Sequence, residues 1–307
     1  MSAAEAGMPP TQAQQPGPGA RGGASASPMG MARGRRRRPG PALVIGALIV
    51  LGVVAMALVS FVWTPYDPTL VDPASRLLKP SAEHLLGTDK FGRDVFSQLL
   101  VGARTTLFVG VVAVGVAALI GVPLGILAAM ATRWFGEILM RGTDLLLAFP
   151  ALLLAIMFSA VYGGSTLVAM IAIGIATVPA FVRLIRSGAL QVMRTEYVLA
   201  ARAAGRRPVA IGVRHVLPNV GSLVIVQASV SFAIAVLAEA ALSFLGFGTP
   251  PPTPSWGRML QESQEMLFSA PRLALFPGLA IAVAVLGFNL LGDGLRDYLD
   301  PRLEDRR

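Results

Sequence analysis

Cysteine is absent from all 307 residues, which excludes disulfides, thiolate metal sites and cysteine nucleophiles. Lysine is nearly absent too, occurring only as Lys79 and Lys90. No G-x-x-x-x-G-K-[ST] run exists, so the chain has no lysine-backed phosphate cradle for a nucleotide. The only histidines, His84 and His215, fall far apart and in opposite loops of the topology derived below, so they share no metal site. Charge of either sign is scarce at 14% of residues, against roughly a quarter in a soluble domain.

What is present is apolar sequence: 54% of residues, with a mean hydropathy of +0.65. These residues come in long blocks instead of alternating with polar ones, the mark of lipid-facing helices. The net charge of +9 does not indicate nucleic acid, because the arginines sit at the ends of apolar blocks, where membrane topology requires them.

Residues 1–38 are rich in Ala, Gly, Pro, Gln and Ser and read as a disordered tail ending in Arg33 and Arg35 to Arg38. An apolar run over 39–64 follows, too long for a signal-peptide core and long enough to span a bilayer. Further blocks near 104–131, 143–162, 166–187, 219–247 and 272–292 complete six expected spans. The positive-inside rule places both termini, including a tail over 298–307, in the cytoplasm. The loop 188–218 carries Arg194, Arg202, Arg206, Arg207 and Arg214 against one acid, Glu196. The short loop 132–142 has Arg133 and Arg141 against Glu137, whereas the loop 65–103 mixes both signs and reads as external. The expectation is an all-α membrane protein of the inner (plasma) membrane.

The loop 188–218 is the most informative segment. Thr195 is positioned to cap a helix over about 196–204, Gly205 to end it, and Pro208 to open the next. Ala200, Ala201, Ala203 and Ala204 make that helix slender, able to enter a groove in a partner, while flanking arginines can reach acids there. Its composition equally suits an amphipathic helix resting on anionic lipid.

Ala200-Ala201, Gly205 and His215-Val216-Leu217-Pro218 resemble the EAA loop of permease subunits of binding-protein-dependent ABC importers. The segments Leu86 to Val95, Gly102-Ala103-Arg104, Glu239 to Gly246, Pro254-Ser255-Trp256-Gly257 and Asn289 to Asp297 extend the resemblance to about 84–302. Their order is similar to that in the second, "C"-type, permease of dipeptide, oligopeptide and nickel importers. The resemblance implies a type I ABC importer permease fold in which the loop forms a cytoplasmic coupling helix seated in an ATPase subunit. Glu196, Ala200, Ala201, Arg202, Gly205, Arg206, Arg207, His215, Leu217 and Pro218 would form the coupling surface. Leu199 stands where the family motif has Glu, so the salt bridge of that Glu is not carried over.

The resemblance further implies a homologous second permease, two ATPase subunits that bind ATP and Mg, and an external substrate-binding protein. This chain would be non-catalytic and hold no cofactor. Di- and oligopeptides are the implied cargo, with nickel chelates and glutathione-like peptides as alternatives. Glu239, a charge inside a span, is a candidate for the translocation path or for pairing with Arg104 or Arg258. Asp144 and Arg141 read as interfacial or ion-paired. Asp89, Arg93, Asp94 and Trp256 are candidates for binding-protein contact, or for capping the bundle. A secondary transporter would need charged relays near mid-bilayer, and an intramembrane enzyme a catalytic cluster there; neither pattern is evident.

Overall fold

The computed structural model describes residues 40–299. The expected disordered tail with its arginine run lies outside the described residues, as does the C-terminal tail beyond Leu299. Ten α-helices follow in order: α1 Pro41–Val62, α2 Val95–Met130, α3 Arg133–Leu147, α4 Ala151–Tyr162, α5 Thr166–Val192, α6 Glu196–Ala203, α7 Pro208–Ile211, α8 Leu217–Phe244, α9 Trp256–Ser263 and α10 Arg272–Leu299. A π-helical turn, Gly212–Val216, joins α7 to α8.

Five helical stretches are long and apolar enough to cross a bilayer: α1, α2, α5, the α7–α8 stretch and α10. At 1.5 Å per residue, the 22 residues of α1 reach about 33 Å, enough for a hydrocarbon core of about 30 Å. The sixth expected span is broken. It consists of α3 and α4, bent by 80° at Ala148-Phe149-Pro150. Pro150 has no N–H to continue α3, and its ring disfavours helical geometry at Phe149. The expected loop 132–142 is therefore helix: α3 is amphipathic, with Arg133, Glu137 and Arg141 on the turns that also expose Trp134 and Ile138.

The loop expected over 65–103 ends at residue 94. The Asp94 carboxylate accepts from the Ser97 N–H at 2.7 Å, so α2 starts nine residues early. Ser97, Gln98, Arg104 and Thr105 dilute the apolar signal of these turns, yet Asp94, Asp89, Ser60 and Pro254 accept their hydrogen bonds. At the other end of the chain's polar regions, α5 extends to Val192, which shortens the loop expected from 188.

Burial ranks the spans. α5 hides 56% of its most apolar window and α1 only 17%, so α5 is the central helix and α1 peripheral. α1 lies directly on α10: a Cβ on Gly46 would sit 2.4 Å from the Leu291 backbone nitrogen, so only glycine allows this approach. The core has three parts. Trp256, Leu99, Met259 and Leu273 join α1, α2, α9 and α10. Phe181, Ile185, Val198, Ile211 and Val220 join α2, α5, α6, α7 and α8. Met170, Ile173, Ala155 and Leu242 join α2, α4, α5 and α8. Large apolar side chains such as Leu48, Leu51, Phe61 and Leu119 remain exposed along the spans, as a lipid surface requires.

Candidate functional site

α6 is a short helix set between two turns. Its C-terminal end is a Schellman motif: the Arg206 N–H donates to the Ala201 carbonyl at 3.2 Å and the Gly205 N–H to the Arg202 carbonyl at 2.9 Å. Gly205 has φ of +75°, the left-handed conformation that glycine adopts without steric cost. The N-terminal end differs from expectation. Thr195 occupies the N-cap position of α6, but its side chain does not cap the helix; the hydroxyl donates to the Val192 carbonyl at 2.6 Å, closing the last turn of α5 instead. Glu196 sits in the first turn, where the helix dipole favours an acid.

Val198 alone fixes the face of α6. It is fully buried among Ile211, Val216, Val220 and Ile185, tying the helix to α5, α7 and α8. The remaining surface is outward: Ala200, Ala203 and Ala204 are exposed, with Tyr197 47% and Leu199 50% accessible. Leu199, at the position of the motif's Glu, thus presents apolar surface. Arg206 and Arg207 are exposed beyond the helix end, and Arg202 reaches back to the Met193 sulfur at 3.7 Å. His215 packs against Tyr197 with ring centroids 6.0 Å apart; its Nε2 is buried without a partner. Leu217 and Pro218 form the exposed first turn of α8. The expected coupling residues thus lie on one stretch from α6 to the first turn of α8, most of them exposed, with Val198 buried against α5, α7 and α8.

The opposite polar end, residues 63–94 with α9, is a clamp. Asp89 accepts from Arg93 Nε at 2.7 Å, from the Phe91 and Arg93 N–H groups and from Gln98. Arg93 also pairs with Glu262, which takes Arg258 at 2.9 Å. Lys90 pairs with Glu265 at 2.7 Å, and Arg272 donates to the carbonyls of Leu77 and Leu78. Asp94 holds His84 at 2.9 Å, and the Trp256 indole donates to the Leu99 carbonyl at 3.0 Å. Arg93, Asp94 and Trp256 are buried and Asp89 half-buried. The polar groups of these four side chains are bonded inside the chain, the arrangement that the capping alternative requires.

Glu239 is 2% exposed, near the end of α8. Its expected arginine partner is absent. Arg104 bonds to the Ser60 carbonyl and stacks on Phe61, and Arg258 is held by Glu262. Hydroxyls take their place: Ser243 donates to Glu239 at 2.6 Å and Thr249 at 3.4 Å, while the Thr249 N–H bonds the Ser243 hydroxyl. The carboxyl ties α8 to the loop that follows it.

Asp144 and Arg141 are both ion-paired, one of the two expectations for them, though sequence reasoning named neither partner. Asp144 of α3 pairs with Arg183 of α5 at 2.5 Å, while Arg141 takes Glu137 at 3.4 Å. The signal was there: Arg183 and Arg186 interrupt the apolar run of α5, one turn apart. Val198 gave no such signal, since burial of one valine among alanines depends on the packing of three other helices. Among the described residues no group of three metal-ligating side chains occurs, and nothing in either polar region resembles a catalytic constellation.

Comparison with known proteins fits this arrangement. Residues 121–305 match the model of the family described as "Binding-protein-dependent transport system inner membrane component". The dipeptide transport system permease protein of Alkalihalophilus pseudofirmus is 43% identical over 261 residues, covering 85% of this chain and 86% of that one. A glutathione transport system permease protein of Pectobacterium atrosepticum is 42% identical, covering 85% and 87%. Among solved structures, an inward-facing MetNI methionine ABC transporter matches in fold, with a TM-score of 0.56 at 17% identity, over 66% of this chain and 97% of that one. By fold and by relatedness, this chain belongs to the binding-protein-dependent transport system inner membrane components, the multi-pass permease subunits of ABC importers.

Proposed function

We propose that this chain forms half of a translocation path for di- and oligopeptides and is driven through α6 by ATPase subunits that bind ATP and Mg. The observation carrying the reading is the protruding alanine-faced helix, fixed to α5, α7 and α8 by Val198 and ended by Gly205. A second, homologous permease completes the path, two ATPase subunits seat the two coupling helices, and an external binding protein delivers cargo. The arginine-rich segment 194–214 faces the cytoplasm, as do both termini.

Nucleotide closes the ATPase pair, α6 moves with it, and the rigid α6–α8 unit turns the spans from inward-open to outward-open. For such coupling the ATPase contact must differ in free energy between the two states. The chain itself performs no hydrolysis. Peptides as cargo are supported by dipeptide and glutathione permeases among the relatives; glutathione is itself a small peptide.

The test is purification of the full complex and its reconstitution in proteoliposomes with its binding protein. Peptide uptake should require ATP, and a chain lacking 200–205 should assemble in the membrane but neither transport nor show peptide-stimulated hydrolysis. Uptake by this chain alone, without ATPase subunits, would falsify the reading.

A further inference from the structure

An apolar groove of about 470 Å³ opens between the last turns of α2 and the α7–π-turn–α8 junction. Val122, Ile126 and Met130 form one wall and Val209, Val213 and Leu217 the other; no polar side chain lines it. Val209 is 76% exposed and Val213 62% exposed, so the groove is open along its length instead of sealed in the core. It lies where two spanning helices end. Arg133 follows the α2 wall by two residues, Arg207 precedes lining Pro208, and Arg214 follows Val213. All three arginines are exposed, and no hydrogen bond or ion pair of their side chains is seen among the described residues.

We infer that this groove holds one anionic phospholipid, its acyl chain along the apolar walls and its phosphate against Arg133, Arg207 and Arg214. An alkyl chain suits walls that offer no hydrogen-bonding group, and the volume is that of an ordinary small-molecule site. The phosphate suits the rim, because a guanidinium fork can bond two phosphate oxygens at once, and basic pockets between spanning helices on the cytoplasmic side take anionic headgroups. A zwitterionic lipid fills the groove equally well but brings a cation to a rim that is already basic. The occupant therefore has a net negative headgroup. It lies against the junction between α6 and α8, beside the part of the chain through which coupling runs.

The test uses the full-length chain, purified with its co-purifying subunits in detergent and titrated with dioleoyl-phosphatidylglycerol or dioleoyl-phosphatidylcholine, bound lipid being read by native mass spectrometry. Retention of phosphatidylglycerol over phosphatidylcholine is expected. Arg207→Gln with Arg214→Gln should weaken phosphatidylglycerol retention about 25-fold, the product of roughly fivefold per basic side chain near an anionic group. Val213→Phe, which fills the groove, should abolish retention, while Arg194→Gln, away from the groove, should leave it unchanged. Equal retention of both lipids overturns the proposal, as does an equal loss on Arg194→Gln. Independently of these variants, a photo-crosslinking residue at Val209 in cells should yield an adduct of phospholipid mass. An adduct with a protein subunit instead assigns the groove to that subunit and overturns the lipid.

Discussion

Glu239 is a charge inside a span whose carboxyl is bonded by hydroxyls of its own chain. A carboxyl within a span cannot remain unbonded, and here the Ser243 hydroxyl one turn along α8 and the Thr249 hydroxyl of the following loop serve it, with the Thr249 N–H bonded to Ser243. Glu239→Ala would strand these hydroxyls in a dry site, at about 1–3 kcal/mol; Glu239→Gln, which keeps an acceptor, should cost less. Melting temperatures of the two variants in detergent measure the difference, and equal melting would rule out the hydroxyl network as the reason for the acid. Arg93 is the corresponding residue in the clamp. Arg93→Ala leaves Asp89 and Glu262 facing each other without their shared cation, at about 3 kcal/mol. Adding Glu262→Gln should recover part of that loss, so the pair should be clearly non-additive. Asp72 is held below the usual carboxylate range by the Ser75 hydroxyl and the Ala74 N–H. A depressed pKa contributes stability above the unfolded value that is lost as pH falls through the folded one. The 63–94 segment should therefore become protease-sensitive below about pH 4 and not at neutral pH.

At the scale of elements, α6 depends on two residues of unequal visibility. Gly205 was legible because a glycine after an alanine-rich run has few reasons to be there other than a left-handed helix end. Nothing crowds it, so Gly205→Ala meets only the conformational penalty of about 1 kcal/mol. Val198 was not legible, because its burial comes from α5, α7 and α8. Val198→Ala removes two buried methyl groups, at about 2 kcal/mol. Both variants should assemble normally, and both should lower peptide-stimulated ATP hydrolysis more than basal hydrolysis, Val198→Ala more strongly. If stimulated and basal rates fell together, α6 would not be the element that transmits force. The boundary errors have a shared origin. The N-terminus of α2 and the first ten residues of α3 are polar enough to read as loop, yet Asp94 caps the first and lengthwise amphipathicity supports the second. The 80° break at Pro150 likewise converts one expected rod into two pieces.

For the molecule as a whole, cysteine's absence becomes an experimental advantage: single cysteines can be introduced without removing any. Cysteines at Arg207 and at Leu85, both exposed, should be labelled by an impermeant thiol reagent from opposite sides of the membrane. Labelling from one side would overturn the proposed topology. The all-helical class, the number of apolar blocks and the position of the short helix α6 were determined by the sequence alone, because hydropathy, glycine placement and loop charge are properties of neighbouring residues. Which polar side chains face inward was decided by tertiary structure. Asp89, Lys90, Arg93 and Asp94 lie in a nominally open loop region, and only the approach of α9 and the turn after it, through Glu262 and Glu265, turns them into a clamp. The Asp144–Arg183 pair and the hydroxyl partners of Glu239 have the same cause. An isolated charge must find a partner in a medium without water, and which partner it finds depends on helices that are remote in sequence and adjacent in space.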